Sequence, residues 1–535
     1  MKPYLLDCTL RDGGYINDWE FGRDNIINIF ERVVASGVEW IEIGFLDERR
    51  PFDPNRTIMP DTSCVEKIFG RLDKGGARVL GMIDFGTCSL DRLQPCAESF
   101  LDGIRVIFKK QNLRPAMAFC AQVKALGYQV FAQLVSVTSY SDEELLEVAA
   151  LANEVRPYAV SMVDTYGLIN PEELKHISGI LDRALSPEIV LGFHAHNNFQ
   201  LGFANATTVL NLDTERNVLV DGTLYGMGKS AGNAPLELVA MYMNEHCGKR
   251  YAVTELQEAI TVSVVDFQRR SPWGYQLFYY IAAANRVHPN YVSWLMNKQT
   301  LSVTAINVIL SRIPEDQKLE KNVTLIERLY LDYQKRSCDD SEALERLRTA
   351  LSGRAALILG PGKTISTCAE QIHNWIAAQR PAVISINYVP EQFSPEFVFL
   401  TNAKRFVQTE SHLLEPQNQN VQVIATSNLT PNKRSFGYTI NYADLIDEAA
   451  EFPDNSMCML LRLLLRCGCR EAGLAGLDGY TPDGVNYFDE NKAYDFLREK
   501  AGSLNNYARS FFDSISDRIN VRFVTPSEYQ KRGEL

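Results

Sequence analysis

The feature of this sequence that most constrains its fold is a repeat of short apolar segments along its first half. Eight segments rich in branched and aromatic residues recur there, about 25–40 residues apart, and a stretch with helical periodicity follows each of them. They are residues 4–10, 38–45, 77–83, 103–108, 128–135, 158–163, 188–194 and 217–220. Eight β–α units predict a closed parallel (β/α)8 barrel. An open doubly wound sheet is the structural alternative, although such sheets rarely contain eight evenly spaced units.

Several polar residues follow directly on these predicted strands. They are Arg11, Asp12, Asp84, Asp164, His194, His196 and Asp221. In a barrel of this kind, the carboxyl ends of the strands form the catalytic face. We therefore expect the active site among these side chains.

The two histidines in His194-Ala195-His196 form the strongest local motif. On an extended segment, residues i and i+2 face the same side, so both imidazoles can bind one ion. Asp12 can complete the set, because strand one of the ring lies beside strand eight and one place from strand seven. The alternatives are two polar loop histidines and a carboxylate that caps a loop.

One carboxylate and two imidazoles leave about three coordination positions for water or substrate oxygens. This arrangement suits Mn²⁺ or Mg²⁺ better than a closed structural zinc site, with Zn²⁺ or Co²⁺ as further alternatives. A 2-oxo acid can chelate such an ion through its carboxylate and carbonyl oxygens. Arg11, which precedes Asp12, can supply a second positive charge to the developing oxyanion.

The segment 221–233 leaves the last predicted strand and contains four glycines. Glycine permits a close approach between the backbone and a ligand. From its composition alone, the segment is either a ligand-binding loop or a plain β–α turn.

Three motifs together resemble the DRE-TIM metallolyase family, which includes 4-hydroxy-2-oxo acid aldolases, HMG-CoA lyases, and isopropylmalate and homocitrate synthases. The matching segments are Thr9-Leu10-Arg11-Asp12-Gly13, His194-Ala195-His196-Asn197, and Gly226-Met227-Gly228 with its continuation Ala231-Gly232-Asn233-Ala234-Pro235. The resemblance covers residues 4–300. It implies that Asp12, His194 and His196 bind a divalent metal and that Arg11 stabilises an enolate. It also implies that Asn233 is an extra ligand or a loop anchor, and that the protein forms a homo-oligomer.

Within that family, the glycine segment looks closest to the pyruvate-type aldolases. The cysteine that HMG-CoA lyases carry there is absent, since no cysteine lies between Cys120 and Cys247. Tyr291 lies where these aldolases have an active-site tyrosine. One position departs from the pattern: Tyr15 replaces the histidine that serves the aldolases as acid and base. A phenol with a pKa near ~10 is a poor base at neutral pH.

The remaining sequence predicts two further regions after a barrel domain at 1–253. Residues 254–350 form a helical extension and linker, and residues 351–535 a Rossmann-like α/β domain. Its predicted strands are 355–359, 382–388, 397–400, 421–425 and 471–475, with a helix at 365–379. The turn Gly360-Pro361-Gly362-Lys363-Thr364 is either a phosphate cradle or a generic tight turn. The segment 454–480 is similar to the CMP-sugar-binding region of some bacterial sialyltransferases, which implies a nucleotide or nucleotide-sugar partner.

Charge and composition exclude several partners and compartments. The formal net charge is −12 without a basic block, which weighs against a nucleic-acid polymer or an acidic membrane surface. No apolar run reaches the roughly 18 residues that a bilayer span needs, and the first residues leave no room for a signal peptide. Eleven cysteines show no disulfide framework. We expect a cytoplasmic protein.

Three functional hypotheses follow. The favoured one is a class II aldolase that joins a 2-oxo acid such as pyruvate to an aldehyde, or cleaves the product, in bacterial polysaccharide or sugar metabolism. The second is a Claisen-type acyl-CoA synthase or lyase on the same metal site. The third is a non-catalytic barrel that serves as a scaffold for the C-terminal domain, and Tyr15 is its main support.

Overall fold

The computed structural model describes residues 2–298, 301–335, 338–431, 433–447, 449–482, 487 and 500–530. The chain divides into two compact units, Met1–Pro289 and Asn290–Leu535. The predicted division into 1–253, 254–350 and 351–535 is finer than this and stays a prediction.

The first unit contains a closed barrel of eight parallel strands. These are Pro3–Asp7, Trp40–Leu46, Arg78–Asp84, Gly103–Phe108, Gln129–Leu134, Ala159–Asp164, Val190–Ala195 and Val218–Gly222. The ring closes because the first strand pairs with both the second and the eighth. A short strand, Ile58–Met59, pairs with the end of the second strand. The predicted (β/α)8 barrel is confirmed.

Helices follow the strands and continue after the barrel. Those of the first unit are Thr9–Asp12, Gly14–Asn17, Arg23–Ser36, Thr62–Phe69, Leu113–Ala125, Asp142–Val155, Pro171–Ala184, Gly202–Leu210, Leu236–His246, Val253–Ala259, Val265–Arg270 and Leu277–Ala284, with a π-helical segment at Ile260–Val264.

The prediction that a helix follows every strand is wrong at the third strand. Within the continuously described stretch 2–298, residues 85–102 form only two 3₁₀ turns, Leu90–Arg92 and Cys96–Glu98. This connection is short and contains Gly86 and Pro95, which interrupt an α-helix.

Local sequence signals explain where the barrel helices begin and which face they bury. The helix Asp142–Val155 starts with a capping box in which Ser141 and Glu144 bond to each other's backbone N–H. Its buried residues Leu145, Val148, Ala149 and Ala152 recur every three or four positions, so that one stripe faces the strands.

The barrel interior has an apolar layer near the amino ends of the strands. Trp40 and Phe131 belong to the second and fifth strands, which are not neighbours, yet their ring centroids lie 5.0 Å apart. The two rings therefore meet across the inside of the ring. Leu6, Leu80 and Leu219 are fully buried in the same cluster. This layer supports the polar site that lies towards the carboxyl ends.

The described part of the second unit contains a parallel sheet of seven strands, which confirms a second α/β fold. In spatial order the strands are Tyr438–Ile440, Gln422–Thr426, Phe397–Leu400, Ala382–Ile386, Ala356–Leu359, Glu471–Ala475 and Asn520–Phe523. The sequence did not predict the two outermost strands. Both are short, and both are only partly buried, so they lack the continuous apolar run of a central strand.

Helices of the second unit flank this sheet and precede it in the chain. Those among the described residues are Pro289–Asn297, Val303–Leu310, Val323–Gln334, Ser341–Leu351, Thr364–Thr367, Ala369–Gln379, Ala403–Leu413, Ser456–Arg466 and Ala501–Ile515. The helix predicted at 365–379 is interrupted at Cys368, which has non-helical dihedral angles. Among the described residues, no helix combines the length and hydrophobicity that crossing a bilayer requires.

Candidate metal centre and active site

The three residues predicted to bind metal converge at the carboxyl end of the barrel. Asp12 ends the short helix after strand one, His194 belongs to strand seven, and His196 follows that strand directly. One ligand atom from each lies within 4.8 Å of the other two, and all three side chains are buried. The structure therefore brings together a carboxylate and two imidazoles that are far apart in sequence, as a divalent-metal site requires.

His194 is oriented by a carboxylate behind it. Its Nδ1 lies 2.9 Å from Oδ2 of Asp221, so an N–H at Nδ1 donates to that oxygen and the Nε2 lone pair stays available. Asp221 in turn accepts a hydrogen bond from Arg105. Burial alone would raise the pKa of Asp221, but the charge of Arg105 and the contact with His194 lower it. Asp221 is thus an anion that fixes the imidazole ring.

A second group of metal-type side chains lies close by, but its chemistry differs. Cys8, His194 and Asp221 also have ligand atoms within 4.8 Å of one another. Burial raises the pKa of the Cys8 thiol well above its ordinary value, so the thiol stays protonated. A protonated thiol is a poor metal ligand. Asp221 already bonds to His194 and Arg105, and the site with Asp12 is the better candidate.

Asp12 is held as an anion by its neighbours. Arg11 Nη1 lies 2.6 Å from Asp12 Oδ1, and the amide of Asn233 donates to Asp12 Oδ2. Burial would raise the pKa of Asp12, but the charge of Arg11 and the hydrogen bond from the Asn233 amide hold it well below its usual range. A permanent negative charge therefore lies between the two imidazoles and the arginine.

Two buried polar atoms beside Asp12 have no hydrogen-bond partner among the described residues. They are Nδ1 of His196, which is 3.9 Å from Asp12 Oδ2, and Oδ1 of Asn233. Burial lowers the pKa of His196 to about 3, so its ring is neutral and able to donate a lone pair. Unsatisfied buried acceptors are costly unless a ligand meets them. The donor set of Asp12, His194 and His196, with Asn233 adjacent, fits a divalent ion.

A layer of buried charges lies directly beneath this centre. Glu42 Oε2 accepts from Arg11 Nε at 2.8 Å and from Arg105 Nη1 at 3.1 Å. Arg105 also donates to Gln133 Oε1 at 2.8 Å and to Asp221. Strands two, four, five and eight are thereby joined through their side chains inside the ring. We call Arg11, Glu42, Arg105 and Asp221 the ionic layer.

Glu42, Arg105 and Gln133 were not predicted from the sequence, because they do not lie at the ends of strands. All three lie within strands and are fully buried. One signal was present: Glu42 and Arg105 each interrupt an otherwise apolar run. A charged residue inside a strand that is buried on both faces needs a buried partner.

The centre opens into a small cavity. Its lining residues are Arg11, Asp12, Tyr15, Met82, Ile107, Gln133, Val163, Thr165, His194, His196 and Lys229. Tyr15 lies at the mouth with 44% of its surface exposed. The protein atoms packed around its phenol group raise the pKa of that group to about 12, so the hydroxyl keeps its proton at neutral pH.

Lys229 also lines the cavity, although the sequence did not predict it as a site residue. Its Nζ lies 5.5 Å from the ring centroid of Tyr15 and 5.8 Å from that of Tyr166, distances typical of cation–π contacts. Burial lowers the pKa of its ammonium group. Among the described residues it forms no salt bridge within 4 Å. Its position in the glycine segment was the available signal, since a charged residue there lies close to any bound ligand.

The glycine segment packs against the metal centre and is more than a plain turn. A Cβ atom added at Gly228 would overlap the amide of Asn233 and would lie 2.5 Å from Asp12 Oδ2. Leu224 N donates to Thr9 Oγ1 at 2.8 Å, which ties the segment to the helix that carries Asp12. This close approach places Lys229 and Asn233 beside the centre.

Tyr291, the remaining predicted catalytic residue, lies in the second unit. It is 1% exposed, and its hydroxyl donates to the carbonyl of Gln317 at 2.9 Å. It is not among the residues that line the barrel cavity. These contacts account for its burial, and its catalytic role stays a prediction.

Comparison with known proteins points to one family. Residues 2–264 match the family model described as HMGL-like. The chain is 26% identical to an oxaloacetate decarboxylase of Mycobacterium tuberculosis over 276 residues, which span 51% of this chain and 79% of that protein. It is 28% identical to 4-hydroxy-2-oxovalerate aldolase 2 of Salinispora arenicola over 242 residues, which span 45% of this chain and 68% of that protein.

A solved structure supports the barrel fold. The N-terminal domain of a candidate aldolase from Bacteroides vulgatus aligns with a TM-score of 0.50 and 24% identity. The alignment covers 58% of this chain and 99% of that domain.

Proposed function

We propose, from the match of residues 2–264 to the HMGL-like family model, that the protein is a divalent-metal-dependent carbon–carbon lyase. Its proposed substrates are a pyruvate-like 2-oxo acid and an aldehyde, joined or released by an aldol reaction. The observation that carries this proposal is the convergence of Asp12, His194 and His196 beside a cavity. The relatives named as 4-hydroxy-2-oxovalerate aldolases support the same class of reaction.

Asp12, His194 and His196 would hold the ion, with Asn233 as a fourth donor. When bound, the ion supplies Lewis-acid polarisation of the 2-oxo acid's carbonyl group. We propose Mn²⁺ or Mg²⁺, because a mixed set of carboxylate and imidazole donors with open positions suits them; Zn²⁺ and Co²⁺ are the alternatives.

Arg11 has a fixed position at this site. Its Nε bonds to Glu42 and its Nη1 to Asp12, so the guanidinium cannot turn away from the cavity it lines. A preoriented cation stabilises negative charge on the enolate oxygen without reorganisation. Arg11 is therefore proposed to stabilise the enolate.

Tyr15 is proposed to be a proton donor. With a pKa of about 12 it does not act as a base at neutral pH. Its hydroxyl at the mouth of the cavity can donate a proton or a hydrogen bond to the oxygen of the aldehyde. This role fits a tyrosine at the position where the resembling aldolases carry a histidine.

Lys229 is proposed to bind the substrate carboxylate. A partly buried ammonium group packed on two aromatic rings gains stability when an anion enters the same cavity. Every 2-oxo acid carries such an anion. Lys229 would thus select acids over neutral ketones.

Proton exchange tests the enolate step separately from the identity of the aldehyde. Purified protein with Mn²⁺ is incubated with pyruvate in D₂O, and the methyl signal is followed by NMR. We expect loss of that signal with wild type and no loss with Asp12→Asn. Absence of exchange with Mn²⁺, together with no reaction across a panel of aldehydes, would contradict the proposal.

A second candidate reaction is decarboxylation of a 2-oxo diacid. The oxaloacetate decarboxylase among the relatives favours it, and both reactions pass through an enolate of the same kind. Release of CO₂ from oxaloacetate, corrected for spontaneous decay, distinguishes it from the aldol reaction.

The remaining hypotheses are tested by simple assays. A Claisen-type enzyme would release free thiol from acyl-CoA in the presence of a 2-oxo acid. A non-catalytic scaffold would show no affinity for divalent metal, and Asp12→Asn would behave as wild type. Two finer proposals accompany the main one: the aldehyde is derived from a sugar, and the protein assembles as a homo-oligomer.

A further inference from the structure

The second unit has a ligand cleft at the carboxyl edge of its own sheet. The first strand of this sheet in sequence is Ala356–Leu359. The next four strands are added on one side of it, and the last two are added on the other side. The order therefore reverses between Ala356–Leu359 and Glu471–Ala475. In open parallel sheets, ligands bind outside the carboxyl ends of the strands near such a reversal.

A cavity lies at this edge. It is lined by residues that directly follow three central strands, among them Asn387 after Ala382–Ile386 and Thr401 after Phe397–Leu400. The start of the helix Ser456–Arg466 forms another wall. A cleft at the carboxyl edge of an open parallel sheet is where such folds bind small molecules.

The glycine turn next to the reversal point is closed, which argues against a phosphate cradle there. Gly362 N donates to Gly476 O at 2.7 Å, and Thr364 N donates to Asp478 Oδ2 at 2.9 Å. A Cβ added at Gly360 would lie 2.5 Å from the carbonyl oxygen of Gly476. The N–H groups that would receive a phosphate thus already bond within the chain. A ligand has to lie farther along the edge, over Asn387 and Thr401.

The floor of the cleft is fixed by a polar network that joins three elements. Asn387 Nδ2 donates to Ser456 Oγ at 3.0 Å, and Asn387 Oδ1 accepts from Thr401 N at 3.2 Å. The hydroxyls of Thr401 and Ser456 are 2.7 Å apart. Asn387 has a φ of 59°, a left-handed conformation that these bonds stabilise. The network makes the floor rigid before any ligand binds.

The walls above this floor combine a carboxylate with aromatic rings. Asp454 lines the cleft and accepts a hydrogen bond from Tyr442 at 3.4 Å, which leaves acceptor capacity on its carboxylate. Phe452 and Tyr480 line the same space. A carboxylate at the edge of such a sheet recognises the hydroxyl groups of a ribose, and an aromatic face packs against a planar base.

We propose that this cleft binds a nucleoside, with Asp454 accepting hydrogen bonds from the ribose hydroxyls and Phe452 packing against the base. The site belongs to the second unit alone, so it does not depend on the proposed aldol reaction. It also specifies which part of a nucleotide or nucleotide sugar the protein would recognise: the nucleoside, not the phosphate.

Calorimetric titration of the full chain with adenosine, guanosine, cytidine and uridine, and with their 2′-deoxy forms, tests the proposal. We expect saturable binding of at least one ribonucleoside and affinity for its deoxy form that is weaker by about tenfold. Asp454→Asn should weaken ribonucleoside binding by about tenfold and remove the difference between the two forms. Asp332→Asn, an exposed carboxylate outside the cleft, is the matched control.

Phe452→Ala provides a second variant, which should weaken both forms equally because it removes only the packing surface. Three outcomes would overturn the proposal. The first is that no ribonucleoside binds to the wild-type protein. The second is that the Asp454→Asn and Phe452→Ala proteins both bind ribonucleosides as tightly as wild type does. The third is that free ribose and glucose bind although no nucleoside does.

Discussion

At the scale of single residues, the hydrogen bond between His194 and Asp221 decides which imidazole nitrogen faces the cavity. The 2.9 Å contact uses Nδ1 and leaves Nε2 for a ligand. Carboxylates in this position typically change metal affinity by about 10- to 100-fold. The sequence pattern places Asp221 at the end of a predicted strand but does not indicate its hydrogen-bond partner.

Asp221→Asn should therefore lower the affinity for Mn²⁺ by about 10- to 100-fold, since an amide orients the ring less strongly and carries no charge. Titration of the apoprotein with Mn²⁺, followed by electron paramagnetic resonance, measures this directly. Asp213→Asn changes an exposed carboxylate on the connection before the same strand and should bind Mn²⁺ as wild type does. Equal affinity in both variants would contradict the role of Asp221.

Tyr15 makes a distinct prediction for pH dependence. Its phenol, with a raised pKa of about 12, carries its proton across the neutral range, so its ionisation should not limit the rate between pH 6 and about 10. Tyr15→Phe removes the donor and should lower kcat by about 100-fold or more. Tyr15→His should introduce a new ionisation near pH ~6.5.

Steady-state rates with the best aldehyde, measured from pH 6 to about 10, test these statements about Tyr15. Tyr275→Phe, on an exposed part of the first unit, should change neither kcat nor its pH profile. A wild-type profile that falls near neutral pH and becomes flat in Tyr15→Phe would assign the phenol a much lower pKa than the structure indicates.

At the scale of elements, the glycine segment and the helix that carries Asp12 form one assembly. Gly228→Ala should push the segment off the centre, because the new methyl group meets Asn233 and Asp12. We expect loss of most activity and a clear loss of Mn²⁺ affinity. Gly76→Ala is the control, since no atom lies within 4 Å of its added Cβ. An active Gly228→Ala enzyme would show that the segment is not a part of the site.

The ionic layer connects strands that are not adjacent in the ring. Arg105→Met leaves Glu42 and Asp221 buried without their shared cation and should lower the free energy of unfolding by about 3–5 kcal/mol. Arg114→Met breaks an exposed ion pair with Glu147 and should lower the free energy of unfolding by less than about 1 kcal/mol. Urea unfolding measures the stability of both variants. Similar losses of unfolding free energy would contradict the structural role of the ionic layer.

Sequence patterns predicted the barrel well because buried parallel strands are continuous apolar runs with polar residues at their ends. The same logic located Asp12, His194 and His196. Prediction from sequence patterns failed for elements whose local pattern carries too little information. The connection after the third strand has no helix, and the edge strand Tyr438–Ile440 is too short to stand out. Glu42 lies inside a strand, where its partners are visible only in three dimensions.

At the scale of the whole molecule, the chain consists of two compact units, each with its own parallel sheet and its own cavity. The barrel cavity carries the metal-type residues, whereas the cleft of the second unit is lined by aromatic and hydrogen-bonding residues. Sequence patterns separated the two sheets but could not show either cavity, because a cavity depends on how distant segments pack.

Mn²⁺ should therefore stabilise the first unit selectively. At a concentration about 100 times the Kd, binding contributes about 2.7 kcal/mol to the state that binds it. Hydrogen-exchange mass spectrometry should show added protection within Met1–Pro289 and unchanged exchange within Asn290–Leu535. The Asp12→Asn protein should show no added protection in either unit. Equal protection of both units in wild type would mean that they respond to the metal as one body.

The ionic layer also has a consequence for how such a protein diverges over generations. Each buried charge in the layer is the counterion of the next. Loss of one member therefore leaves its neighbour buried without a counterion and without water to solvate it. Descendants of this chain should therefore exchange Arg105 and its carboxylate neighbours together, or keep them all. Cavity residues outside the layer, such as Tyr15 and Lys229, can then change independently, while the buried charges are inherited as a set.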